Sequence, residues 1–284
     1  GAGRMHCRDQ TRGSVPKSSV EQEAFAEEQR WSEQIVDALL VGEAVQLDAG
    51  GTAFLGIYTE ASEGAGDRAV ILLHGVGAHP DWPEIINPLR SELPEHGWSS
   101  LSIQMPILAN DAALVDYAPL FDEVGGRVEA ARGFLRERGN RTIVLIGHSL
   151  GASMGATYLA ADSEHGLVGL VAVGMSVIEL DDRMNSALAV EKIRIPVLDV
   201  YGSRDLDGVL NTVKARAAAA RSAVPSVNQP HPEHQQTAAI EQPGPSETRV
   251  APAPQRLPRR FGRPWPDADA QSGLNPGPGL EHSQ

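Results

Sequence analysis

The pentapeptide Gly147-His148-Ser149-Leu150-Gly151 joins an apolar run, Thr142–Ile146, to a small-residue segment, Ala152–Ala160. The run has the length and branched content of a strand buried on both faces, and the segment reads as a helix. A serine in so short a strand-to-helix turn is held in strained backbone geometry. Crowding by neighbouring backbone then leaves room only for glycine on either side. The first N–H groups of the helix point past the serine and favour negative charge there. This junction constrains the whole chain, because a strand entering a helix directly belongs to a parallel sheet with helices on its faces.

The remaining text fits that expectation. Residues 20–41 read as a helix whose broad apolar face carries Val20, Phe25, Trp31, Ile35, Leu39 and Leu40, with glutamates between. Residues 43–59 read as a hairpin turning at Asp48-Ala49-Gly50-Gly51. Arg68–Leu73 is a continuous apolar strand, and Ser99–Gln104 is a short one. Helices are expected over 83–93, with Pro83 in the first turn, and over 117–138. Two more strands, Leu167–Val173 and Ile195–Tyr201, precede an alanine-rich helix over 206–222. The predicted fold is α/β: a doubly wound, mostly parallel sheet opened by an antiparallel hairpin.

Three segments result. Residues 1–19 are expected to be disordered, 20–222 to form the folded domain, and 223–284 to form a Pro-rich disordered tail. More than half of the chain's 20 prolines lie in that tail, where apolar residues are sparse. The sheet is therefore expected to lack its last strand and last helix. A shifted reading frame near residue 223 would give the Pro/Arg/Ala/Gly bias seen there.

The formal net charge of −13 argues against nucleic acid or an anionic membrane surface as partner. No apolar run is long enough to span a membrane, and residues 1–19 lack the apolar core of a signal peptide. One cysteine, Cys7, excludes an internal disulfide. No His/Asp/Glu cluster has metal-ligand spacing, so neither metal nor cofactor is expected. Gly75-x-Gly77 lacks the third glycine of a dinucleotide fingerprint.

Gly-x-Ser-x-Gly between strand and helix is the nucleophile elbow of serine hydrolases. Ser149 is the candidate nucleophile. The Leu150 amide is one candidate oxyanion donor, and Val76, in the loop His74-Gly75-Val76-Gly77 after the Arg68–Leu73 strand, is the other. Gly75 and Gly77 allow close approach of backbone to substrate. Asp205, after an apolar strand in Gly202-Ser203-Arg204-Asp205, is the candidate acid, with Asp207 second and Asp199, inside the strand, a poorer choice. The base should follow the acid in chain order, where only His231, His234 and His282 occur, and His234 is the candidate. His74, His79, His148 and Met105 are expected around the pocket. The apolar stretch 107–117 is expected to line an acyl site for a small-molecule acyl substrate.

Residues 20–222 resemble α/β hydrolases, and in particular a bacterial family of α/β-hydrolase-like proteins without an assigned role. The resemblance is carried by His79-Pro80-Asp81-Trp82-Pro83, Leu93–Ser102, Gln104-Met105-Pro106, Ile146–Ala152 and Tyr201–Leu206. It implies the fold and a serine-hydrolase ancestry. The C-terminal text departs from it, since such relatives would continue with a strand, an Asp-His loop and a closing helix. Two functions therefore stay open: a serine hydrolase of the esterase or thioesterase kind, and a catalytically silent binding protein with the same fold.

Overall fold

The computed structural model describes residues 19–62, 66–109, 111–223 and 236–240. The expected disordered termini lie almost wholly outside the described residues. Helix α1 (Ser19–Ala38) precedes the hairpin β1 (Glu43–Asp48) and β2 (Ala53–Thr59). Alternation then begins: β3 (Arg68–Leu73), α2 (Ile86–Glu92), β4 (Ser99–Ile103), α3 (Phe121–Glu137), β5 (Thr142–His148), α4 (Leu150–Ala161) and β6 (Gly169–Val173). It continues through α5 (Ser186–Val190), β7 (Val197–Gly202), α6 (Asp207–Leu210), α7 (Val213–Ser222) and β8 (Gln236–Ile240).

The strand order is β1-β2-β4-β3-β5-β6-β7-β8, antiparallel from β1 to β4 and parallel from β4 onward. From β3 the chain crosses to β4 on one side. From β5 it crosses to β6 on the other. The crevice between the C-terminal ends of β3 and β5 is thus a topological switch point, where open α/β sheets bind ligands.

Strand β3 is buried from Ala69 to Leu73, as its unbroken apolar run requires. Ala69, Ile71 and Leu73 face the main core with residues of α3 and α4, while Val70 and Leu72 pack with Ile86 of α2 on the opposite face. Ile35, Trp31 and Leu39 of α1 and its exit close over Leu55 and Ile57 of β2.

The structure corrects several boundaries. The expected helix over 83–93 starts only at Ile86, because Asp81 draws Asn87 and Arg90 back onto the preceding turn. The helix expected over 117–138 is a 3₁₀ turn, Leu114–Leu120, followed by α3, since Pro119 has no N–H to continue an α-helical ladder. The helix over 206–222 breaks at Thr212, whose hydroxyl accepts Val177 N–H and donates to Gly208 O. Leu40, expected on the buried face of α1, is 96% exposed, because the helix ends at Ala38.

The sheet was expected to lack its last strand, yet Gln236–Ile240 pairs in parallel with β7, from Leu198↔Gln236 to Gly202↔Ile240. The physical reason is that pairing uses backbone groups of an otherwise open edge. It needs no strong side-chain pattern in the added strand.

Candidate active site

Ser149 stands between β5 and α4, at the cap position of α4, with φ 53° and ψ −121°. Among the described residues it alone has positive φ without being glycine. Its N–H donates to Val173 O of β6 (2.8 Å), and its carbonyl accepts the Ala152 amide (3.0 Å). The flanking glycines are required by packing. A Cβ on Gly147 would lie 2.5 Å from Ala152 Cα, and one on Gly151 would lie 2.4 Å from His74 O.

The loop after β3 meets this turn. A Cβ on Gly75 would lie 3.0 Å from Ser149 Cβ and 3.5 Å from its Oγ. Gly77 has φ 66°, so the loop turns through a conformation that glycine adopts freely. Val76 is half-exposed on this loop, and Leu150 is buried at the first position of α4.

His74 is buried beneath the loop. Its Nε2 accepts Met105 N–H (2.9 Å) and lies 3.1 Å from Gln104 Nε2, so its proton resides on Nδ1 and is donated to Gly75 O (2.9 Å). Burial pushes its pKa down to about 3 and keeps it neutral. Met105 is buried, with its amide on that ring. His74 and Met105 thus form the floor under the loop.

His79 stands between two tryptophans, 4.8 Å from Trp31 and 5.4 Å from Trp82 between ring centroids. Its Nδ1 accepts Asp81 N–H (3.2 Å). His148 is half-buried, with Nδ1 unpartnered among the described residues. Burial lowers its pKa, opposed by the charges of Asp205 and Glu84.

Asp205 follows β7. Its carboxylate accepts Gly202 N–H (3.1 Å) and Leu206 N–H (2.8 Å). It reaches toward Gly174 at the end of β6, where an added Cβ would lie 3.7 Å from Oδ2. Asp199 instead forms a buried pair with Arg216 of α7 (2.8 Å). Asp207 opens α6.

Among the described residues, no histidine ring hydrogen-bonds to Asp205 or Ser149. His231, His234 and His282 lie outside the described residues. Strand β8 enters beside Leu198, at the end of the sheet away from Ser149, and its last residue, Ile240, pairs with Gly202 of β7. Of the stretch 107–117, Ile107 and Tyr117 are buried, while Leu114 and Val115 are exposed on the loop after β4.

Residues outside every motif complete the surroundings. Arg127 of α3 donates through Nη1 to Gln104 O (2.7 Å) and Glu28 Oε2 (3.1 Å), and through Nη2 to Glu28 Oε1 (3.0 Å). The one sequence signal was Glu28 itself, three residues before Trp31 and seven before Ile35, on the apolar face of α1.

Residues 7–125 and 120–257 match the family described as Protein of unknown function (DUF3530). The chain belongs to this family. The second match runs past the change of composition near residue 223. No curated protein matches the DUF3530 chain.

Among solved structures, the chain is similar to a dienelactone hydrolase from Anabaena variabilis, at 16% identity over 70% of this chain and 85% of that one, with TM-score 0.54. It is similar to Est1E from Butyrivibrio proteoclasticus, at 15% identity over 70% and 88%, with TM-score 0.51. An alpha-beta serine hydrolase homologue from Coxiella burnetii aligns at 17% identity over 72% and 88%, with TM-score 0.50. These likenesses establish the α/β-hydrolase fold for the DUF3530 chain. Among its described residues, no helix is long and apolar enough to cross a membrane.

Proposed function

We propose that this protein is a serine hydrolase of the esterase or thioesterase kind, working through an acyl-enzyme on Ser149. The observation that carries this reading is the Ser149 backbone at φ 53°, in an elbow pressed against Gly75. Strain of this kind persists where the surroundings over-determine it, and it serves to project a side chain into a crevice. Ser149 Oγ attacks the acyl carbonyl carbon while a base removes its proton. The carbonyl oxygen becomes an oxyanion facing the Leu150 and Val76 amides. The alcohol or thiol then leaves with that proton, and water repeats the sequence on the acyl-enzyme. Asp205 orients the base, a histidine later in the chain. The half-exposed Leu114 and Val115 suit an apolar acyl group.

A second reading, a silent binding protein, draws on one observation: no described histidine is bonded to Asp205. Hydrolysis of p-nitrophenyl butyrate by the full chain and by Ser149→Ala separates the two. Turnover abolished by the substitution supports the hydrolase. Folded protein without turnover supports the binding protein.

A further inference from the structure

We infer that Glu28 of α1 is a positioning residue for the Ser149 site, acting through Arg127 and the end of β4 on the His74–Gly75 loop. The inference rests on the reading of Ser149 as the nucleophile. Helix α1 stands outside the alternating β/α order, before the first strand of the sheet. Apolar packing on β2 through Ile35 and Trp31 would suffice to hold it. It nevertheless buries a carboxylate, with Glu28 only 7% exposed, and a buried charge needs a partner and hydrogen bonds.

The partner of that carboxylate leads to the site. Both terminal nitrogens of Arg127 donate to it. The same Arg127 Nη1 holds Gln104 O, so α1, α3 and the β4 end are tied at one point. Gln104 and Met105 then fix the His74 ring from Nε2, and its Nδ1–H fixes Gly75 O. The Gln104 amide orientation is set: its Nε2 also donates to Met105 O (2.8 Å), and the opposite orientation would place oxygen against oxygen there. Gly75 faces Ser149, since a Cβ added to it would lie 3.0 Å from the serine Cβ.

A second clasp lies one turn along α1. The Trp31 ring rests on His79, five residues beyond His74 on the same loop. Residues 28 and 31 share one helix face. That face therefore grips the oxyanion loop at its far end and, through the relay, at its near end. A helix serving only to cover β2 would need neither contact.

The test uses the full chain with a fluorophosphonate, resolving the labelling rate constant at saturation from the probe's half-saturating concentration. Amide hydrogen exchange is followed in parallel, and Ser149→Ala is the labelling blank. Misplacing an oxyanion loop by a fraction of a bond length weakens transition-state contacts and leaves ground-state binding. Glu28→Ala should therefore lower the rate constant by about 10- to 100-fold and change half-saturation by less than about twofold. The Met105 amide should exchange at least about tenfold faster, with the β5 amides unchanged. Glu28→Gln keeps the shape but leaves Arg127 one acceptor oxygen in place of two and no countercharge, so it should show both effects at reduced size. Trp31→Ala should slow labelling in the same sense.

Unchanged labelling and unchanged Met105 exchange in folded Glu28→Ala would overturn the inference. So would faster exchange spread evenly over β3 and β5, which marks loss of general stability. If Glu28→Ala does not fold, Glu28→Gln and Trp31→Ala decide, and unchanged rates in both would refute it. A wild-type chain that is never labelled refutes the hydrolase reading, while the exchange pattern still decides whether Glu28 positions the loop.

Discussion

Gly75 stands so close to Ser149 that a methyl group on its Cα would lie 3.0 Å from the serine Cβ and 3.2 Å from His148 O. The loop is exposed on its outer side at Val76 and Gly77, so it can shift by a few tenths of an ångström. Gly75→Ala is therefore expected to lose only about 1 kcal/mol of stability in urea unfolding, while fluorophosphonate labelling slows by about 10-fold or more. Gly151→Ala differs, because its Cβ would lie 2.4 Å from His74 O and 2.6 Å from Leu73 O. Those atoms belong to the central strand and its end, so that substitution should cost about 3 kcal/mol or more.

His74 makes the fold acid-sensitive. Its pKa falls from 6.5 to about 3 on burial, so the native state binds its proton less readily than the unfolded chain. Its contribution is complete above pH 6.5 and is lost as pH falls toward 3, at up to about 1.4 kcal/mol per pH unit. His79, His148 and His165 are lowered by burial and act in the same sense. Glu28 and Asp199 are raised by burial and oppose it, since native protein takes up their protons first as pH falls. Urea midpoints between pH 7 and 4.5 should decline less steeply in His74→Gln than in wild type. Equal slopes would contradict this account of His74.

Asp205→Asn tests the acid. Asparagine keeps one acceptor but sets its NH2 against the Gly202 or the Leu206 N–H, so stability should fall by only about 1 kcal/mol. Loss of the carboxylate charge should slow labelling or turnover by about 10³–10⁴-fold, because the base is no longer oriented or stabilised as an imidazolium. A change below about threefold would reduce Asp205 to an acceptor for the Gly202 and Leu206 amides.

Asp199 and Arg216 form a buried pair in which Asp199 Oδ1 and Arg216 Nη2 have no hydrogen-bond partner among the described residues. Asp199→Ala leaves a buried guanidinium uncompensated and should cost about 3–5 kcal/mol in urea unfolding. Replacing both, Asp199→Leu with Arg216→Met, should recover most of that loss, because the pair itself carries a desolvation penalty. A double variant as unstable as the single one would show that the pair contributes more than its charges cancel.

The parts of the fold legible in the sequence are those with local signals. Arg68–Leu73 announces itself by apolar continuity, the hairpin by Gly50-Gly51, and the elbow by glycines that packing demands at 147 and 151. Strand β8 left no such trace, because Gln236-Thr237-Ala238-Ala239 lacks large apolar residues and backbone pairing with β7 defines the strand. The ties around the loop were hidden for another reason. Glu28, Gln104 and Arg127 are far apart in sequence, and only folding brings Glu28 and Gln104 each within 3.1 Å of the Arg127 guanidinium.

The central claim is that Ser149 is an activated nucleophile, and intact mass after fluorophosphonate treatment tests it most directly. The account predicts one phosphonyl adduct per chain, mapped to Ser149 and absent from Ser149→Ala. Folded protein that remains unmodified, or an adduct that persists in Ser149→Ala, would contradict it.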